Sequence, residues 1–222
     1  MKEGETSWAK KLASNWLWMW HAKLLATCVG IRLFFVAYFW VLKHPIGTVY
    51  VMPETWVDRW IGFQPWAIWL YLSLWFYVGA LPAFYGNMRE LRVYTLFSSL
   101  LGAIGLSVFY VWPTMVRIQV LPEGAGDWMR LLKTVDAAGN ACPSLHVGYA
   151  VFTAFGISEL LKRVAAPSLL QWCNLLWCLG IWYSTIAIQQ HVFYDGIAGA
   201  LLGAVMGIGL WRSLSASRDS GT

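Results

Sequence analysis

A chain of 222 residues that is 59% hydrophobic and 12% charged, with a mean hydropathy of +0.54, cannot hide its apolar side chains in one soluble core. The composition predicts an integral membrane protein, and at about 20 apolar residues per span the length allows roughly six spans and leaves no room for a separate soluble domain. The net charge of +5 and the pI near 9.1 raise nucleic acid as a partner, but the basic residues lie at the ends of apolar runs and form no stripe, so membrane topology accounts for them and no nucleic acid is expected.

In chain order, residues 1–23 mix Lys2, Lys10, Lys11 and Lys23 with Trp8, Trp16, Trp18 and Trp20, which predicts a retained, amphipathic interfacial helix. Apolar runs follow at 24–42, 66–83, 93–112, 145–161, 169–188 and 192–211, each close to the length of a helical span. The expected fold is all-α: a six-span catalytic membrane domain over 24–215 and a short tail over 216–222. Six spans put both termini on one side, and the long connections 44–65 and 113–143 on the other. The terminal side carries Lys2, Lys10, Lys11, Lys23, Arg89, Arg92, Lys162, Arg163, Arg212 and Arg218. The loop side carries only Lys43, Arg59, Arg117, Arg130 and Lys133, with Arg32 set aside inside the first span. The positive-inside rule then predicts cytoplasmic termini and outward-facing long loops in the cytoplasmic membrane. Cys28, Cys142, Cys173 and Cys178 show no Cys-x-x-Cys spacing, so neither a disulfide framework nor a zinc site is expected.

His146 and His191 both fall at span ends on the loop side. Polar groups at a membrane boundary need a reason, and interfacial capping is the plain one for a single histidine. It accounts less well for two arriving with an aspartate. His191 and Asp195 are spaced by four, so on a helix they share a face, where the carboxylate can accept a hydrogen bond from one ring nitrogen and leave the other's lone pair exposed. His146 follows Ser144 in a Pro-Ser helix start, whose free amides and positive dipole end suit a phosphate. Patterns such as Gly199 to Gly203 read as close-packing points between membrane helices.

The segments Asn140-Ala-Cys-Pro-Ser-Leu-His146-Val and Ser184-Thr-Ile-Ala-Ile-Gln-Gln-His191-Val-Phe-Tyr-Asp195 resemble the second and third signature motifs of the type-2 phosphatidic acid phosphatase superfamily. The resemblance spans roughly 93–211 and is nearest to the branch of inositol phosphorylceramide synthases, more distantly sphingomyelin synthases. It implies a six-span core and phosphohistidine chemistry, with His191 as nucleophile, Asp195 as its orienting partner and His146 as the acid that protonates the leaving oxygen. Two cations of the usual pattern are missing: no first motif of Lys, six residues and Arg-Pro occurs, and the third motif opens Ser184-Thr185 in place of Ser-Arg. The stretch from Tyr110 through Pro113 to Arg117 is similar to a Tyr…Pro…Pro-Pro segment of the synthase-like branch, without the proline pair. Arg117, Arg130 and Lys133 are candidate replacements for the phosphate grip. Ser144, Tyr110, Asn140 and Asp136 are further candidates near the substrate.

The expected protein is thus a lipid phosphatase or phosphotransferase acting on a lipid phosphoester or phosphoanhydride at the outer face. Its partners are the bilayer, the lipid phosphate and an acceptor that is water or a lipid or polyol hydroxyl. No cofactor and no metal site are expected, since no Asp/Glu cluster suggests Mg²⁺ and an imidazole nucleophile needs no metal to be activated. The reading from another class is a lipid-binding scaffold or a small transporter, which gives no reason for His146, His191 and Asp195 to meet and for which no inverted repeat is visible.

Overall fold

The computed structural model describes residues 7–117 and 139–219. Eight α-helices are present among them: α1 (Trp8–Leu17), α2 (Trp20–Lys43), α3 (Trp56–Ile61), α4 (Ile68–Ala83), α5 (Met88–Val111), α6 (Leu145–Arg163), α7 (Ser168–Ala187) and α8 (Phe193–Asp219). A 3₁₀ turn, Pro65–Ala67, leads into α4, and two short strands, β1 (Tyr50–Val51) and β2 (Thr114–Met115), pair in parallel. The protein is all-α in architecture.

Four helical segments are long and apolar enough to cross a membrane: Trp20–Lys43, Pro65–Ala83, Met88–Val111 and Phe193–Ala216. Helices α6 and α7 have the length, 19 and 20 residues, but are not among those four. The reason for α6 is its place in the bundle. It buries Leu145, Val147, Ala150, Phe152, Leu160 and Leu161, and also the polar Thr153 and Glu159, so it faces protein more than it faces lipid. Helix α2 is the opposite case, with only Lys23 and Val41 buried and Leu25, Leu33 and Val36 well exposed. Apolar surface of that extent is expected where the solvent is hydrocarbon.

Boundaries differ from the sequence expectation in three places. The N-terminal segment breaks at Met19, whose φ of 47° ends α1, and α2 starts at Trp20, inside the residues assigned to the interfacial segment. Lys23 is therefore the first-turn anchor of α2, its ammonium donating to the carbonyls of Asn15 (2.7 Å), Ala83 (2.6 Å) and Tyr85 (3.3 Å). The connection 44–65 is structured, carrying β1 and α3. At the far end α8 continues through 216 to Asp219 with no separate tail before it.

Contacts at the two ends of the bundle fix the helix directions. At one end Lys23 joins the start of α2 to the end of α4, and Glu90 at the start of α5 pairs with Arg163 at the end of α6. At the other, β1 joins the two long connections, Gln64 N donates to Ala187 O (2.7 Å), and Ser144 N donates to Asp195 O (2.9 Å). Successive helices α2, α4, α5, α6, α7 and α8 thus alternate in direction. Both long connections meet at the end that holds the two histidine segments.

Helices α6 and α8 make the closest approach in the bundle, and glycine permits it. A Cβ on Gly199 would stand 2.1 Å from the Ser144 carbonyl oxygen, and one on Gly203 would stand 2.2 Å from that of Gly148. Only a missing side chain lets backbone meet backbone at this distance.

Candidate active site

Helix α6 starts where Ser144 caps it, the hydroxyl oxygen accepting from Val147 N (3.3 Å) and the carbonyl from Gly148 N (2.9 Å). The sequence reading expected free amides here for a phosphate; the Ser144 side chain, fully buried, instead satisfies one of them. Two residues on, the His146 ring lies flat on Tyr71 of α4, centroids 3.9 Å apart and planes 11° off parallel, with Trp75 edge-on at 5.9 Å. The ring also hydrogen-bonds the Tyr71 backbone. That bond leaves Nε2 buried and without a partner among the described residues.

The opposite wall comes from the turn between α7 and α8. Gln189 adopts a left-handed φ of 57°, and the amides of Gln190 and His191 both return to the Thr185 carbonyl at 3.0 and 3.1 Å. This reversal throws His191 back toward α6. His191 therefore lies before α8 rather than on it, which corrects the expectation of two side chains stacked on one helical face. Asp195, fully buried in the first turn of α8, folds back on the turn: its Oδ2 accepts from Val192 N (3.0 Å) and stands 3.6 Å from His191 Nδ1. That separation is longer than a hydrogen bond. The neighbouring Cys142 thiol is pushed up to about 12, by burial first and by the Asp195 carboxylate second, so it stays protonated as a weak donor beside that carboxylate. The two imidazoles lie within electrostatic range of each other.

A cleft of about 230 Å³ opens in front of His191, lined among others by Glu54, Asp58, Arg59, Arg117 and Gln189. Of the cations expected from sequence, Arg117 lines this cleft, while Arg130 and Lys133, like Asp136, lie outside the described residues. Tyr110 is elsewhere: it packs beside Trp40, centroids 5.8 Å apart, in the wall between α2 and α5. Asn140, at a left-handed φ of 54°, is buried, and its amide donates to the Tyr38 carbonyl (3.4 Å), so it ties the motif loop to α2. Among the described residues no group of three His, Cys, Asp or Glu side chains is arranged to hold a metal ion.

Sequence reasoning missed Arg59, which it counted only as a loop charge, and Asp58. The latter staples α3 to α8. Its Oδ2 accepts from the Thr55 amide (2.6 Å) and hydroxyl (2.7 Å), and its Oδ1 from Phe193 N (2.8 Å). The available signal was Thr55-x-x-Asp58, the spacing of a capping box, which the structure forms in full.

An antiparallel bundle of apolar, membrane-length helices is the architecture of an integral membrane protein. Residues 64–219 match the model of the PAP2 superfamily, and the chain belongs to that superfamily. Membership implies phosphatase or phosphotransferase activity on lipid phosphoesters in a membrane. No curated protein and no solved structure matches the chain.

Proposed function

We propose that the protein spans the cytoplasmic membrane six times, with its termini inside, and cleaves a lipid phosphoester or phosphoanhydride at the outer face through a phosphohistidine at His191. The observation that carries this reading is the approach of His191 Nδ1 to the buried Asp195 carboxylate at 3.6 Å, with a second imidazole in electrostatic range. A carboxylate facing Nδ1 holds the proton there and leaves the Nε2 lone pair to attack.

In the first step His191 Nε2 attacks phosphorus in line, forming a P–N bond as the P–O bond to the leaving group breaks. The electron pair of that bond goes to the leaving oxygen, which takes a proton from His146. The role of proton donor falls to His146 as the imidazolium, with Nδ1–H held on the Tyr71 backbone and the second proton, taken up together with the anionic phosphate, on Nε2. In the second step the same Nε2 takes the proton of the acceptor hydroxyl, whose oxygen attacks phosphorus while the P–N pair returns to His191. Water as acceptor makes the enzyme a phosphatase, and a lipid or polyol hydroxyl makes it a transferase. Packing of His146 between Tyr71 and Trp75 keeps its ring in place through both transfers.

The test is to trap the intermediate. Purified protein mixed with radiolabelled phosphatidic acid or polyprenyl diphosphate and denatured in alkali should retain an acid-labile phosphoryl group, absent from His191→Ala. Undiminished labelling or turnover in His191→Ala would sink the phosphohistidine assignment.

A further inference from the structure

The family match begins at residue 64, yet the segment before it is built into the cleft. Two staples hold it there. Strand β1 pairs with β2, Tyr50 N donating to Pro113 O (3.0 Å) and Met52 N to Met115 O (2.8 Å). Further along, Asp58 binds Phe193 N at the start of α8 (2.8 Å). Arg59, the next residue, and Arg117, two residues beyond β2, consequently line the same cleft as His191.

The chemistry at His191 needs positive charge on the non-bridging oxygens, and the usual donors are not free to supply it. Val192 N and Phe193 N, the amides leading into α8, are already bonded to Asp195 and Asp58. The Val147 amide at the start of α6 is likewise committed, to the Ser144 hydroxyl. The motif positions where the superfamily pattern has Lys and Arg hold other residues. Glu54 and Asp58 add negative charge to the cleft wall, which a phosphoryl dianion must overcome.

We infer that Arg59, from the outer segment that precedes the family-matched residues, grips the phosphoryl oxygens together with Arg117. The inference rests on the phosphohistidine reading for the position of the phosphoryl group. A guanidinium presents planar, paired donors that match a phosphate, and charge-assisted bonds of this kind are among the strongest in a protein. Because Asp58 bonds to the first residue of α8, the grip and the Asp195-bearing helix belong to one frame, and motion of the outer segment moves both.

The experiment uses the full-length purified protein and the variants Arg59→Gln, Arg59→Lys and Arg117→Gln, with Arg92→Gln, an exposed cation at the opposite end of the bundle, as control. The inhibition constant for orthovanadate and the KM for nitrophenyl phosphate should rise about 10- to 100-fold in Arg59→Gln and Arg117→Gln, less in Arg59→Lys and not at all in Arg92→Gln. A second readout needs no turnover and no variant: inorganic phosphate should protect Arg59 of the wild-type protein from phenylglyoxal, read by peptide mass spectrometry. Wild-type inhibition and KM in Arg59→Gln, or modification of Arg59 that phosphate does not slow, overturns the grip and leaves the phosphoenzyme at His191 untouched. Absence of a phosphoenzyme in the wild type overturns the reading beneath it, whatever Arg59 does.

Discussion

Replacing Gly199 by alanine tests whether the contact between α6 and α8 sets the geometry of the site. The added Cβ would fall 2.1 Å from the Ser144 carbonyl oxygen and 3.0 Å from its carbon, both backbone atoms that no rotamer change can move aside. Ordinary contact begins near 3.4 Å, so the helices must part locally by about 1.3 Å. The displaced atom belongs to the residue that caps α6, two positions before His146, and Ser144 N also bonds the Asp195 carbonyl. The strain is therefore delivered between the two halves of the site. Overpacking of this kind costs about 1–3 kcal/mol of stability, whereas a displacement near 1 Å between reacting groups costs about 10²-fold in rate. Turnover of nitrophenyl phosphate, normalised to monodisperse protein in detergent and measured beside thermal unfolding, separates the two effects. Gly30→Ala on α2 is the control, since a Cβ there meets nothing within 4 Å. A Gly199→Ala protein that folds and keeps the wild-type kcat would refute the idea that this backbone contact positions the histidines.

Three further outcomes follow from the same geometry. His146→Ala should slow turnover of lipid phosphates strongly, yet recover much of the first step with nitrophenyl phosphate, whose leaving group needs little protonation; equal loss on both substrates would remove His146 as the acid. Asp195→Asn should fold, because an amide oxygen can still accept from Val192 N, while losing up to roughly 10⁴ in kcat as the ring tautomer is no longer held; a loss below tenfold would show that the 3.6 Å approach to His191 carries no catalytic weight. Val49→Cys in a Cys-free variant should react with an impermeant maleimide added to intact cells, and labelling that requires lysis would reverse the orientation.

What was readable in the sequence divides along the range of the interactions involved. The long apolar runs announced the bundle because burial in hydrocarbon is a property of composition, and Gly199 and Gly203 announced the α6–α8 contact because a missing Cβ has one obvious use between helices. The gathering of His146, His191 and Asp195 at one end followed from the alternating direction of successive long helices. One local feature was misread: the spacing of His191 and Asp195 has helical period, but no Gly or Pro marks the left-handed turn at Gln189 that leaves His191 outside α8. The Pro143-Ser144 helix start was legible, and the Ser144 side chain caps α6. The segment carrying β1 and α3 was illegible for a different reason: β1 is two residues long and α3 six, and their positions depend on partners 64 and 135 residues away in the chain, Thr114 and Phe193.

Polar side chains at the two ends of the bundle are used differently. Burying such groups among apolar helices is costly unless each finds a partner. At the end holding the described N-terminal helix, Lys23 places its three donors on carbonyls and Arg163 pairs with Glu90, so charge there joins helices. At the histidine end Asp58 does the same joining work, while His146 Nε2 and His191 Nδ1 are both buried with no hydrogen-bond partner among the described residues, the latter facing the Asp195 carboxylate at 3.6 Å. Helix packing alone gives no reason for two such buried nitrogens, since an apolar residue of similar size would fill the space at lower cost. His191 lines a cleft that also holds Arg59 and Arg117, so an anionic group bound there would meet two guanidinium groups beside that ring.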